Sequence, residues 1–226
     1  MTEAHPLDRP VWSALNSEWK GHAQRYAQAL RLDPVFGPFG AAERVGDGQA
    51  LAALVPADGE LWTVERDRFA VPDGVFLVRE NAIAQMVAPT LAEGHAPNLP
   101  ILSLGDADAP EMRALAELTK PGPFAERTHR LGRFIGMRRN GQLVAMAGER
   151  MRLPDFTEIT AVCTHPDHRG RGYAAALMLD AGRHILAQGA LPFLHSYADN
   201  AVANALYEKL GFRLRRELTN LVLSRE

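Results

Sequence analysis

The stretch EITAVCTHPDHRGRGYAAALMLDAGRHIL, Glu158 to Leu186, decides how the chain folds. A strand ends at Cys163, a polar loop carries Pro166 and Arg169-Gly170-Arg171-Gly172, and a helix opens at Tyr173-Ala174. The helix continues its apolar face through Leu177, Met178, Ala181 and Ile185 at the spacing of one helical side. Glycines let the backbone bend so that several N–H groups converge, and the helix start adds unsatisfied donors and the positive end of its dipole. Arg169 and Arg171 supply charge, so the turn reads as an anion cradle whose natural guest is a diphosphate. A plain strand-to-helix turn with two solvated arginines reads the same residues without a guest.

Two other phosphate motifs are excluded. Gly170-x-Gly172-x-x-Ala175 imitates a dinucleotide fingerprint, but there the first glycine follows the strand directly and the next strand ends in an acid. Here Thr164 to Arg169 intervene and the next strand, Leu191 to Ser196, ends without one. No glycine is followed by Lys and Ser/Thr, so the nucleoside triphosphatase loop is absent too.

Outward from this stretch, the C-terminal half reads as α-β-β-β-α-β-α-β. Met112, Leu115 and Leu118 share a helical face, and Lys120-Pro121-Gly122-Pro123-Phe124 forbids helix beyond it. GRFIGMRR and QLVAMAGER meet at Asn140-Gly141, a two-residue hairpin signal because both residues tolerate positive φ. After the strand Thr157 to Cys163 and the helix near 172–188 come the strand Leu191 to Ser196, a helix from Asn200 to Leu210 and a strand near Glu217 to Leu223. In the first half, Trp12, Leu15, Trp19, Tyr26 and Leu30 predict one amphipathic helix over 11–32, stopped at Asp33-Pro34. A turn at Val35 to Gly40, a short helix at Gln49 to Val55 and strands at Glu60 to Arg66, Val75 to Arg79, Asn81 to Ala88 and Leu99 to Leu104 follow. The most boundary-like stretch is Gly105 to Pro110.

Composition narrows the function classes. The 226 residues are 46% hydrophobic and 23% charged, which sets disorder and fibrous folds aside. No apolar run approaches the ~18 residues of a membrane span, and the first ten residues lack a signal-peptide pattern, so the cytoplasm is the expected compartment. A single cysteine, Cys163, excludes an internal disulfide and a cysteine-rich zinc site. Residues 1–109 hold 8 Lys+Arg against 15 Asp+Glu, and residues 110–226 hold 17 against 12. The basic half suits an anionic small molecule, yet it has no Lys/Arg run interleaved with aromatics, so neither nucleic acid nor a membrane is an expected partner. His165 and His168 lack a third ligand and read as loop histidines, so no metal is expected. Cys163 reads as a small core residue rather than a nucleophile.

Two motifs in order then identify a resemblance. Arg169-Gly170-Arg171-Gly172-Tyr173-Ala174 matches the R/Q-x-x-G-x-G/A signature of the GNAT superfamily of acetyl-coenzyme A dependent N-acetyltransferases, and Asn200 to Phe212 (NAVANALYEKLGF) matches its later N-x-x-A-x-x-L-Y-E-K-L-G-F block. The chain is similar in particular to the FR47-like branch, over about residues 110–223. The resemblance implies a mixed, mostly antiparallel, splayed sheet flanked by helices, with residues 1–109 as an α+β extension or degenerate GNAT-like half and 110–226 as the acetyltransferase domain. It implies acetyl-CoA as acyl donor and a small-molecule or peptide amine as acceptor, with a homodimer left open. A non-catalytic acyl-CoA sensor on the same fold is the alternative.

The resemblance also implies roles. Arg169, Gly170, Arg171, Gly172, Tyr173 and Ala174 would take the pyrophosphate, and the edge of the strand at Ala161, Val162 and Cys163 would pair with the pantetheine arm. Asn200 would contact the coenzyme, cap its helix, or do both, with Asp199 competing for the cap. Tyr207 would protonate the departing thiolate, or else pack as a half-buried aromatic. Glu158, sharing a strand face with Thr160 and Val162, would be the general base or a solvated carboxylate. Phe124, held by its prolines, is expected in the acceptor wall.

Overall fold

The computed structural model of the chain describes residues 5–93 and 99–225. Helix α1 (Pro10–Asn16) leads into a three-stranded sheet of β1 (Ala23–Tyr26), β2 (Ala29–Leu32) and β3 (Gly40–Ala42), then helix α2 (Gly48–Leu54). Strands β4 (Leu61–Glu65), β5 (Phe76–Val87) and β6 (Leu102–Leu104) precede helix α3 (Ala109–Thr119). The remainder is β7 (Phe134–Arg139), β8 (Gln142–Leu153), β9 (Phe156–Thr164), α4 (Tyr173–Ala187), β10 (Leu191–Tyr197), α5 (Ala201–Lys209) and β11 (Arg213–Ser224). From α3 onward the element order is the one expected.

Local chemistry fixes the ends of these elements. Asn140 and Gly141 both have positive φ, 51° and 83°, so the β7–β8 turn follows the strands' own twist. The Asp47 carboxylate accepts from Ala50 N at 3.1 Å and starts α2, while α3 ends at Lys120 in the left-handed region.

Eight strands form one sheet in the order β4-β11-β5-β10-β9-β8-β7-β6. Every neighbouring pair is antiparallel except β9 and β10, whose parallel pairing uses α4 as its crossover. Strands from both sides of residue 110 share the sheet, and β5 lies between β10 and β11. Helices α4 and α5 cover one face, with Leu177, Met178, Ile185 and Leu210 packed on Ile135, Val144 and Ile159. The other face is covered by α1 and the small sheet, through Leu7, Val11, Leu15, Trp19, Leu30 and Leu32 on Met151 and Phe193, and by α3 through Met112 and Leu115 on Phe134 and Cys163. Among the described residues no helix is long and apolar enough to cross a membrane.

Two expectations need correction. The single helix over 11–32 stops at Asn16, where Ser17 leaves the helical region (ψ −110°) and the chain turns into β1 and β2. Trp12, Leu15 and Trp19 do line one side, but Leu30 continues their period by coincidence, since every residue of Ala29–Leu32 is buried in a strand. Val75 to Arg79 and Asn81 to Ala88 are one continuous strand, β5, because Glu80 and Asn81 keep their pairing with β11.

Candidate active site

Strands β9 and β10 pair from Leu191–Phe156 to Phe193–Glu158 and then part. A cavity of about 660 Å³ opens in the gap, bordered by Ile159 to Thr164 on β9 and Leu194 to Tyr197 on β10. One end reaches the turn His168 to Ala175 together with Asn200 and Tyr207, and the other reaches Phe39, Trp62, Val64, Ile83 and Asn220. No acidic side chain lines it among the described residues.

Two irregularities in the β8–β9 ladder shape the gap. Between the pairs Met146–Cys163 and Gly148–Thr160, β9 carries one residue more than β8, and Ala161 there sits at φ 52°. A left-handed alanine costs about 1–2 kcal/mol, so this bulge is held by its surroundings. It bends β9 at the point where the strand borders the cavity. Between Glu149–Ile159 and Arg152–Thr157 the extra residue lies on β8 instead, opposite Glu158. That second bulge turns the Met151 N–H towards the Glu158 carboxylate, to which it donates at 3.3 Å.

The turn before α4 has the conformation its glycines require. Gly170 and Gly172 lie at φ 72° and 77°, and an added Cβ would meet nothing within 4 Å at either, so backbone conformation rather than crowding calls for glycine. Helix α4 has no side-chain cap, and the first intrahelical bond is Ala176 N to Gly172 O. Among the described residues no hydrogen bond engages the N–H groups of residues 170–175, which lie beside the exposed Arg169 and Arg171. Such a set of donors at a helix N-terminus with two cations beside it can hold a polyanion.

The expected site residues divide clearly. Ala161, Val162, Cys163, Arg169, Gly170, Arg171, Gly172, Tyr173, Ala174, Asn200 and Tyr207 all border the one cavity. Asn200, not Asp199, caps α5, accepting from Ala203 N at 3.2 Å. Burial raises the Tyr207 phenol above its ordinary range and so keeps it protonated, while its ring packs edge-on against Phe212. Burial likewise pushes the Cys163 thiol up to about 11, outweighing its hydrogen bonds with Thr119 and the Met146 backbone, so the sulfur stays an uncharged wall atom. His165 and His168 stack edge to face at 5.6 Å, and no group of metal ligands forms among the described residues.

Phe124 and Glu158 lie elsewhere. Thr119 to Pro123 reach the cavity, but Phe124 turns inward and packs edge-on against Phe134 at 5.8 Å, in the cluster beneath α3. Glu158 is sealed, with 1% of its side chain exposed, and does not border the cavity. Its Oε1 accepts from Arg150 Nη2 at 2.8 Å and His195 Nδ1 at 2.9 Å, and its Oε2 from Arg150 Nε at 2.9 Å and Met151 N. Burial works against its charge, but the Arg150 cation and the hydrogen bonds of His195 and Arg150 prevail and hold the carboxyl down at about 2. All of its lone pairs are engaged, so this arrangement leaves none for a substrate proton.

His195 is equally tied. Gln85 accepts at Oε1 from Arg215 (2.9 Å) and donates from Nε2 to the Leu7 carbonyl (2.9 Å), which fixes its amide orientation. The same nitrogen, 3.0 Å from His195 Nε2, must therefore be the donor, so the imidazole hydrogen sits on Nδ1 and points at Glu158.

Arg150, His195, the Ala161 bulge and the aromatic pair Phe39 and Trp62 are site features that sequence reasoning passed over. The available signal was Glu149-Arg150 and His195, polar residues inside otherwise apolar strands. Nothing local linked them, because they meet only across the β8-β9-β10 pairing.

Comparison with known proteins agrees with this fold. The FR47-like protein family profile matches residues 134–221. A protein from Novosphingobium aromaticivorans assigned to the GNAT family of acetyltransferases, solved as a crystal structure, is 44% identical, with 99% of this chain and 100% of that one covered and a TM-score of 0.93. A GCN5-related N-acetyltransferase from Kribbella flavida shares the fold at 17% identity, covering 94% and 93% of the two chains with a TM-score of 0.62. A GCN5-related N-acetyltransferase-like protein from Streptococcus suis does so at 17%, covering 95% and 92% with a TM-score of 0.61. No curated protein matches. The chain belongs to the GNAT family of acetyltransferases. It is thus an acyltransferase, with the mixed, mostly antiparallel sheet of that fold.

The buried ion pair makes its own prediction. The folded pKa of Glu158 lies below the ordinary carboxylate value, so its stabilisation is present above about pH 4.3 and fades as pH falls towards 2. Glu158→Gln leaves Arg150 uncompensated and should cost about 3–5 kcal/mol at neutral pH. Denaturant unfolding across pH should show the deficit shrinking below pH 4; a deficit constant down to pH 2.5 would show that the ion pair is not its source.

Proposed function

We propose that the chain transfers the acetyl group of acetyl-CoA to the primary amine of a small molecule or peptide, by direct attack within a ternary complex. The observation that carries this reading is one cavity joining the unengaged N–H cradle at residues 170–175 to the parting of β9 and β10, with the Tyr207 phenol beside it. In this reading the pyrophosphate docks on the cradle, Arg169 and Arg171 neutralise it, and the pantetheine amides pair with the open edge of β9 at Ala161 to Cys163. Asn200 borders the same channel while capping α5. Residues 110–226 carry the coenzyme side, and the N-terminal region supplies the acceptor wall through Phe39, Trp62, Val64 and Ile83.

The reaction then follows from the groups present. The amine nitrogen attacks the thioester carbonyl carbon, a C–N bond forms and the C–S bond breaks. In this reading backbone N–H groups on the open edge of β9 stabilise the developing oxyanion. Sulfur takes a proton from the Tyr207 hydroxyl, whose raised pKa keeps it an acid throughout the neutral range. The amine's surplus proton leaves through water, since Glu158 is sealed, and a water proton restores Tyr207. A sensor that only bound acyl-CoA would need no proton donor at this place, which favours catalysis over binding alone. Cytoplasmic residence and action without metal, nucleic acid or membrane belong to the same reading.

Two substitutions test it. Gly172→Asp sets a carboxylate against the pyrophosphate and should weaken acetyl-CoA binding by at least about 100-fold in calorimetry, because like charges in a tight cradle cost several kcal/mol; unchanged affinity would place the coenzyme elsewhere. Tyr207→Phe keeps the ring and should leave stability and coenzyme affinity intact while kcat for coenzyme A release falls about 100- to 10,000-fold. An unchanged kcat at every pH would reduce Tyr207 to packing and leave the coenzyme site as described.

A further inference from the structure

We propose that Arg150 binds the carboxylate of an apolar α-amino acid, and that this amino acid is the amine acceptor. The inference rests on the acetyltransferase reading above and names its second substrate. Arg150 is 92% buried by side chain, its exposure being 8%, and it lines the cavity at the end away from the cradle. Its Nε and Nη2 are held by Glu158, whereas Nη1 makes no hydrogen bond among the described residues. The guanidinium lies 4.7 Å over the Phe39 ring, and Trp19 Nε1 donates to the Arg150 carbonyl at 3.0 Å, so both side chain and backbone are fixed. A planar, pre-positioned guanidinium with an open N–H edge is the group of choice for a carboxylate.

The rest of the cavity selects against other amines. Polyamines and aminoglycosides carry several ammonium groups and need acidic side chains, and no acidic side chain lines this cavity among the described residues. Around Arg150 the wall is Phe39, Trp62, Val64 and Ile83, which suits one apolar side chain. Arg169 and Arg171 stand at the coenzyme end and Lys120, also on the wall, is exposed, which leaves Arg150 as the buried cation of the cavity. A peptide N-terminus has an amide where a free amino acid has its carboxylate, so the same arginine separates those two acceptors.

The experiment compares acid with amide. Leucine, methionine, phenylalanine and tryptophan are each paired with their α-amides, and kcat/KM is read from coenzyme A release. Binding of the N-acetylated acid and N-acetylated amide to the coenzyme A complex is measured by calorimetry. At least one acid should exceed its own amide by about 10- to 100-fold in both readouts, the worth of a charge-assisted hydrogen bond. Because Arg150→Gln alone strands a buried carboxylate, the variant tested is Arg150→Gln with Glu158→Gln, in which neither charge remains. Its acid-over-amide preference should fall to within about threefold while acetyl-CoA affinity holds. If no acid is preferred to its amide in either readout, or if the double variant keeps the full preference, the assignment of Arg150 is overturned. Turnover of amides alone would overturn it and leave the acetyltransferase reading standing; acid-selective binding without turnover of any amine would keep Arg150 as a carboxylate site but overturn both the acceptor assignment and the acetyltransferase reading.

Discussion

Beyond the pair formed by Glu158 and Phe193, β9 and β10 separate, and everything the site contains depends on that separation being held open. Parted strands expose backbone groups that would otherwise pair, so the gap persists only where other interactions fix both edges. On the β9 side the fixing is done by the bulge at Ala161 and the ion pair at Glu158. On the β10 side His195 joins the same carboxylate, while β5 pairs along β10 from Phe193 to Tyr197 and satisfies its outer edge. The vertex is therefore a network, Arg150–Glu158–His195–Gln85–Arg215–Asp8, running from β8 across β9, β10, β5 and β11 to the N-terminal segment.

A buried ion pair of this kind contributes little net stability against a well-packed apolar alternative, since desolvation offsets most of its attraction. Its consequence is directional. Glu158 uses both oxygens to hold one edge of the Arg150 guanidinium, and the free edge is left towards the cavity. The residue that sequence reasoning offered as a base is in this arrangement a support for its neighbour. The N-terminal region is part of the same device: Trp19 and Phe39 brace Arg150, and Leu7 fixes Gln85.

How much of this the sequence disclosed follows from the range of the interactions involved. The turn before α4 was legible because its conformation is local, with Gly170, Gly172 and the start of the helix adjacent in the chain. So was the Asn140-Gly141 hairpin, whose two positive φ angles belong to neighbouring residues. The Asn200 to Phe212 block likewise marks α5, and its Tyr207 lines the cavity. What failed was non-local. Periodicity carries α1 past Asn16 because the buried strand β2 happens to continue it at Leu30, and Phe124 reads as acceptor wall because the loop alone does not reveal the cluster beneath α3 that takes its ring. The partners of Glu158 lie on β8 and β10, the two strands beside its own, and could not be paired before the register was known.

A crystal structure of the chain with acetyl-CoA bears on all of this at once. The account places the pyrophosphate on the N–H groups of residues 170–175 and the thioester between Thr160–Cys163 and Leu194–Tyr197. It places the sulfur about 3 Å from the Tyr207 hydroxyl, or one water away, with the Arg150 guanidinium facing the far side of the acetyl group. Density for the pyrophosphate away from the Arg169–Ala174 turn, or a thioester lying outside the parting of β9 and β10, would contradict it.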